Sequence, residues 1–305
     1  MKWPTRAKRA NDLDRSLVDF STKHHRLQGV ADVQARETLV WQMIASLRRL
    51  DYTRAIKSRN ISSERVDPAS VLFEPERAAA LLSRQGQRDE AIWLIFLATH
   101  FGQHGRYAWR MLQDVYSGLG SRTWTWSRIS ANPSSFRQWL RQNVNEIGGA
   151  FGNHRKYETL NPDSPQGTAN VIESFVACCS PSPAQWFDSL SRITGNDPYK
   201  VFDSAYGGLT IERFGRLAKF DFLALLGRLD LAPISPGSAY LTGATGPLRG
   251  ARLLIDGDPT STTSAKSLDM ILQQLDESLN VGMQVMEDSI CNWQKSPRKF
   301  IHFRG

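Results

Sequence analysis

Apolar residues recur along most of this chain at steps of three and four, the spacing that lays one stripe along a helix, while the alternation of a half-buried strand is rare and short. Val33, Val40, Met43, Ile44, Leu47 and Leu50 fall mostly on such steps and predict an amphipathic helix over residues 30–50, ending near Arg48-Arg49. Residues 76–100 predict a helix or helix pair, polar around 84–90 and heavily apolar through 92–97, so its second half belongs in a core. Shorter helices are predicted over 107–117, 134–143, 169–178, 183–192 and 198–206. Asn132-Pro133-Ser134 and Asn196-Asp197-Pro198 each set a capping side chain beside a proline suited to a first helical turn. An apolar-rich helix over 211–229 carries glycines at Gly215 and Gly227, residues 232–259 read as turns, and 264–295 predicts a helix or a pair broken near Gly282. The expected fold class is mostly α.

With 305 residues, 41% of them hydrophobic and 22% charged, the chain can bury one large core or two smaller ones, which excludes a small stapled or disordered protein. The formal charge of +8 is unevenly placed. Residues 1–60 hold 13 Lys/Arg against 6 Asp/Glu, a net +7, and the rest of the chain is nearly neutral. Such an excess suggests a polyanionic partner such as a nucleic acid, or equally a solvated basic arm that only aids solubility. The three cysteines, Cys178, Cys179 and Cys291, make neither a disulfide framework nor a four-thiolate metal site, so no metal and no cofactor are expected. Neither a signal-peptide core nor a membrane-length apolar run is present, and the expected setting is cytoplasmic, with no membrane. The one soft boundary, at 67–73, separates a basic helical N-terminal region (1–74) from a main body (75–305).

Three stretches concentrate chemistry. Glycines at 237, 243, 246 and 250 fall in the turn-rich segment, where exposed amides of Gly237, Ser238, Gly243 and Gly246, with Arg249, can grip a DNA backbone without reading sequence; a compact loop of structural glycines is the plain alternative. No Gly-Lys-Ser/Thr follows, so a nucleotide-binding P-loop is absent. Residues 148–157 pack Asn153, His154, Arg155, Lys156 and Tyr157 behind three glycines, a composition suited to phosphate and base-edge contacts. On the last helix Asp288 and Lys295 stand about two turns apart beside Asn292 and Gln294, as base and electrophile, as a substrate clamp, or as structural groups. His100 and His104 lack the glutamate of a metalloprotease pattern and suit substrate contact better than metal. Trp124 and Trp126, near Arg122 and Arg128, stack on an extruded base or belong to the core.

Taken in order, His100-Phe101-Gly102, Trp124-Thr125-Trp126, Phe151-Gly152-Asn153-His154-Arg155-Lys156-Tyr157, Gly195-Asn196-Asp197, Phe214-Gly215-Arg216, Phe220-Asp221, Pro236-Gly237-Ser238-Ala239-Tyr240-Leu241, Gly243-Ala244-Thr245-Gly246-Pro247, Gly250-Ala251-Arg252-Leu253-Leu254 and Asn292-Trp293-Gln294-Lys295-Ser296-Pro297 resemble the alpha-glutamyl/putrescinyl thymine pyrophosphorylase clade 3 family. The resemblance covers roughly residues 90–305. It implies a helical fold similar to helix-hairpin-helix DNA glycosylases and action on bases in DNA. The family is named for phage DNA hypermodification, in which a pyrophosphorylated hydroxymethyl group on a thymine-type base is displaced by an amino acid or polyamine. In the glycosylases a catalytic aspartate follows the phosphate-binding hairpin; Asp256 and Asp258 lie 19 and 21 residues beyond Gly237, although Gly237-Ser238-Ala239 lacks the second hairpin glycine and Asp256-Gly257-Asp258-Pro259 also reads as an ordinary turn.

The first expectation is therefore an enzyme that flips out a hypermodified pyrimidine and excises it, in anti-phage defence, with Asp221, Asp256, Asp258 and Asp288 as candidate carboxylates, Asn153 and His154 on the base, and Arg216 on DNA. The alternative is an amine:DNA transferase acting on pyrophosphorylated hydroxymethyluracil, for which Arg155, Lys156 and Lys295 suit the leaving pyrophosphate. A third reading is a non-catalytic module that binds modified DNA. The +7 of residues 1–60 is expected to be an added DNA-holding region.

Overall fold

The computed structural model describes residues 3–302; the last three residues of the aromatic tail that ends in Phe303-Arg304-Gly305 lie outside the described residues. Among the described residues the regular elements are α-helices and single 3-10 turns, with no strand. The helices are α1 (Ala7–Lys23), α2 (Val33–Ser58), α3 (Pro75–Arg84), α4 (Arg88–Phe101), α5 (Arg110–Tyr116), α6 (Trp126–Ala131), α7 (Pro133–Asn143), α8 (Thr168–Cys179), α9 (Pro183–Ile193), α10 (Pro198–Gly208), α11 (Arg216–Arg228), α12 (Gly246–Asp256), α13 (Ala265–Leu279) and α14 (Met283–Trp293). The mostly α class is the one the apolar spacing implies.

Local chemistry sets the helix ends. The Asn132 side chain accepts the Ser135 amide ahead of α7, and Asp197 accepts those of Tyr199 and Lys200 ahead of α10, each with proline in the first turn. Residues 76–100 divide into α3 and α4 because Gly86 takes φ +77, a conformation that ends a helix. Two expectations change. The helix foreseen over 211–229 begins only at Arg216, with Gly215 as its cap, and the turn-rich 232–259 contains the eleven residues of α12. Gly257, at φ +74, closes α12 in a left-handed cap, its amide donating to the Leu253 carbonyl at 3.1 Å.

The chain forms two compact units, Met1–Tyr52 with Pro236–Gly305, and Thr53–Ser235. In the first, Leu13, Leu17 and Phe20 of α1 and Leu39, Met43 and Ile44 of α2 share one core with Leu254 of α12, Leu272 of α13, and Met286 and Trp293 of α14. The Trp293 indole N–H donates to the Ala35 carbonyl at 2.9 Å inside that core. Backbone approach is close: a Cβ on Gly250 would stand 2.3 Å from the Ile290 carbonyl oxygen, so only glycine admits this α12–α14 packing. The basic N-terminal segment is thus half of a core rather than an appended arm, and the linear division at residue 74 coincides with neither unit.

The second unit is built around α4, buried on all sides from Ala91 to Ala98 and packed against α3, α5, α6, α9 and α11. Phe96 stacks on Phe175 with ring centroids 3.9 Å apart, and Trp93, Trp126, Phe214 and Phe222 surround the pair. A fully buried α4 fixes the place of its C-terminal residues, Thr99 to Phe101, where the loop described below attaches.

Two outcomes follow from the first core. Removing residues 1–52 is expected to abolish cooperative folding of the 236–305 helices, read by circular dichroism melting against the full chain; a truncated chain with an unchanged melting temperature would contradict the shared core. Gly250→Ala is expected to cost about 1–3 kcal/mol in denaturant unfolding.

Candidate functional site

Residues 148–158 are pinned to the C-terminal end of α4. The Gly152 amide donates to the Phe101 carbonyl at 2.8 Å, and a Cβ on Gly152 would lie 2.9 Å from the Gln103 carbonyl oxygen and Gly102 carbonyl carbon, so bare backbone is required there. Upstream, Asp114 accepts the Gly148 amide at 2.8 Å while paired with Arg110 at 2.9 Å. Asn153–Arg155 then form a 3-10 turn that drives Arg155 inward while Asn153, His154, Lys156 and Tyr157 stay on the surface.

Arg155 is the anchor. Its side chain is 12% exposed; Nε donates to the Thr99 carbonyl at 2.7 Å, and Nη2 faces Asp221 on α11 at 3.6 Å. A cation at a helix C-terminus meets carbonyls without helical partners, which offsets part of its desolvation. Burial still pulls the Arg155 pKa down, opposed by Asp221 and Glu158. His100 is fully buried beside it and pushed down to about 3, by burial first and by the Arg155 charge second. Its Nε2 lies 3.0 Å from Thr168 Oγ1, and the Thr168 hydroxyl already donates to the Thr159 carbonyl at 3.0 Å. The hydroxyl has one proton, so His100 donates as the neutral Nε2–H tautomer, a structural histidine.

The rim is polar and open. Tyr157 is 78% exposed with the Lys156 ammonium 5.1 Å from its ring centroid, and Asp221 is 47% exposed. Arg213 pairs with Glu158 at 3.5 Å and donates to the Tyr157 carbonyl at 3.4 Å. Arg213 also lines an open cleft of about 520 Å³ with Arg216 and Lys219 at the start of α11. Beside Thr210, the Cys178 thiol is pushed down to about 6, chiefly by a hydrogen bond from Cys179 and further by Thr210 and Lys219. The structure thus brings Asn153, His154, Lys156, Tyr157 and Asp221 to the surface around the inward-facing Arg155, with Arg213 leading from them to Arg216, all in the second unit.

The first unit holds the other group. Asp288 pairs with Arg49 of α2, the Asn292 amide donates to Asp288 at 2.9 Å, and Lys295 donates to the Asn292 side-chain oxygen at 3.0 Å. Gln294 donates to the Cys291 carbonyl at 3.3 Å. In the glycine turn Asp269 accepts the amides of Ala239 and Leu241, both at 3.1 Å, Ser238 Oγ accepts that of Tyr240, and Gly237 offers its carbonyl to Gln273. Gly246 serves close packing, since a Cβ there would meet Cys291 Sγ at 2.7 Å; Gly243 turns at φ +75, and Arg249 is exposed. Asp256 ends α12 and accepts from the Ser261 hydroxyl, while Asp258 accepts the Thr260 amide at 2.8 Å and hydroxyl at 2.7 Å as an ordinary turn carboxylate.

Three aromatic and imidazole candidates face inward or serve turns. Trp124 and Trp126 are buried, the latter donating to the Pro181 carbonyl at 3.3 Å, so neither ring is open to a base. His104 Nδ1 accepts the amides of Arg106 and Tyr107 and organises its own turn. Sequence reading missed Glu158, Arg213, Lys219, Thr168 and Arg49. The first was legible, since Glu158 directly follows Arg155-Lys156-Tyr157; the others come from segments that no local spacing connects to the motif. Among the described residues no cluster of three or more His, Cys, Asp or Glu side chains is arranged to hold a metal ion.

The family model described as alpha-glutamyl/putrescinyl thymine pyrophosphorylase clade 3 matches residues 34–305. The match begins in α2, earlier than the motifs quoted above suggested, and spans Arg49 as well as the Arg155–Asp221 surface. No curated protein and no solved structure matches the chain.

The neutral His100 carries a pH signature. The unfolded chain takes up its proton below an ordinary pKa of 6.5 and the folded chain only near 3, so folding stability falls as pH drops through that interval. Between pH 7.5 and 5 this group is expected to remove about 2 kcal/mol. Urea unfolding of His100→Gln should show that part of the slope gone, whatever its stability at pH 7.5.

Proposed function

The chain belongs to the alpha-glutamyl/putrescinyl thymine pyrophosphorylase clade 3 family, and on that premise we propose that it acts on a thymine-type base in DNA, replacing the pyrophosphate of a pyrophosphorylated hydroxymethyl group with an amino acid or polyamine. The amine lone pair forms a bond to the exocyclic methylene carbon, the carbon–oxygen bond breaks, and pyrophosphate leaves with the bonding pair. The proton lost by the amine needs a carboxylate, and the departing charge needs cations.

The observation that carries this reading is the Arg155–Asp221 surface inside the matched residues: an open carboxylate, an exposed ring and several cations within one stretch. Tyr157 offers a stacking face for an extruded base, with His154 and Asn153 beside it as donors to the base edges. Asp221, half-exposed and held by Arg155, is assigned the amine proton. Excision has less support. The family description names a pyrophosphorylase, and the aspartates suggested by the glycosylase comparison are a helix end and a turn residue.

DNA carrying pyrophosphorylated hydroxymethyluracil, incubated with the protein and glutamate or putrescine, should yield on digestion a nucleoside whose mass matches the amine adduct, without abasic sites. Asp221→Asn is expected to slow formation about a hundredfold or more, whereas Asp258→Asn leaves it unchanged. Alkali-labile strands in place of the adduct would establish excision instead. Binding without either product would leave a recognition module.

A further inference from the structure

We propose that the open cleft between the end of α10 and the start of α11 is a diphosphate-binding site, a reading that rests on the amine transfer proposed above and assigns the leaving group its place. The cleft, about 520 Å³, is lined by Tyr206, Thr210, Arg213, Gly215, Arg216 and Lys219 among others, and no Asp or Glu is among the residues that line it. Arg216 and Lys219 stand three residues apart on the first turn of α11, hence on one side of the helix, and Arg213 approaches from the preceding turn.

Each cation is held in place by an aromatic or carbonyl contact. The Arg216 guanidinium lies 4.9 Å from the Phe220 ring centroid, the Lys219 ammonium 5.6 Å from that of Tyr206, and Lys219 also donates to the Tyr206 carbonyl at 3.2 Å. Arg213 is tied to Glu158 and the Tyr157 carbonyl. Stems fixed in this way lose less freedom when an anion arrives. Gly215 and Arg216, which line the same wall, open α11 and so stand at the positive end of its dipole. With Arg213 paired to Glu158 at the rim, Arg216 and Lys219 give the concavity its positive lining, and the polyanion that amine transfer brings to this surface is the departing pyrophosphate. Arg213 links the cleft to Glu158 and Tyr157, so a diphosphate seated here lies next to the surface assigned to the base.

Titration calorimetry of the full chain with inorganic pyrophosphate at low salt should give saturable binding near one per chain. Arg216→Gln combined with Lys219→Gln is expected to weaken it about tenfold or more. Lys200→Gln, which removes an exposed charge on α10 outside the cleft, should leave it unchanged, and melting curves verify that each variant is folded. Absence of saturable binding by the wild type, equal affinity in the double variant, or equal losses in all charge variants would overturn the proposal. So would a double variant that loses affinity for duplex DNA while the wild type ignores pyrophosphate, which would make the cleft a strand-backbone contact. Pyrophosphate binding of this pattern without an amine adduct would instead leave the site standing and remove the transferase reading.

Discussion

A guanidinium at 12% exposure must be compensated, and the form of its compensation organises the candidate site. Arg155 places Nε on the Thr99 carbonyl at the end of α4 and faces Asp221 on α11, so one side chain joins the central helix, the glycine loop and α11. The loop reaches that position only because Gly102 and Gly152 let two backbones meet with no Cβ between them. His100 bears the consequence: buried next to a fixed positive charge, it stays neutral and spends its proton on Thr168. What remains at the surface, Asn153, His154, Lys156 and Tyr157, is displayed on a rigid footing.

The two units treat their polar groups differently. In the first, the candidate carboxylates accept hydrogen bonds from the chain itself: Asp256 from Ser261, Asp258 from Thr260, and Asp288 from Arg49 and Asn292, the last of which also accepts from Lys295. In the second, Asp221, facing Arg155, and Tyr157 are solvent-exposed in the unit that also holds a cleft lined by cations. A reaction that displaces a polyanionic leaving group is better served by the second arrangement, where local cations rather than overall charge supply the stabilisation.

Much of the fold was legible because helix periodicity and capping are local: Asn132-Pro133 and Asp197-Pro198 start helices where their chemistry says they should. Glycine was the weak point. Gly215 is a cap rather than an interior flaw, and Gly246 and Gly250 allow helix contact rather than turns, distinctions that depend on what lies opposite and so leave no local mark. The basic N-terminal excess suggested an appended arm because charge counts do not show that Leu13, Phe20 and Met43 complete a core with Leu254, Leu272 and Trp293, far along the sequence. At the site, the run Asn153 to Tyr157 was visible as a density of functional groups, but which of them turns inward was set by the carbonyls of α4, and Arg213 and Lys219 join it only through the tertiary path of α11. Of the two readings left open for Trp124 and Trp126, stacking ring or core, the structure gives core: Trp124 packs edge-on against Phe136 and Trp126 lies against Trp93, neighbours that come from distant segments.

In the proposed exchange the base stays on the strand while its pyrophosphate is replaced by an amine. The stoichiometry of a single reaction decides between exchange and excision: inorganic pyrophosphate released against amine incorporated into DNA bearing the pyrophosphorylated hydroxymethyl base. One pyrophosphate per amine, with every N-glycosidic bond intact, is the result predicted; release of free modified base, with pyrophosphate still attached to it, would contradict the account.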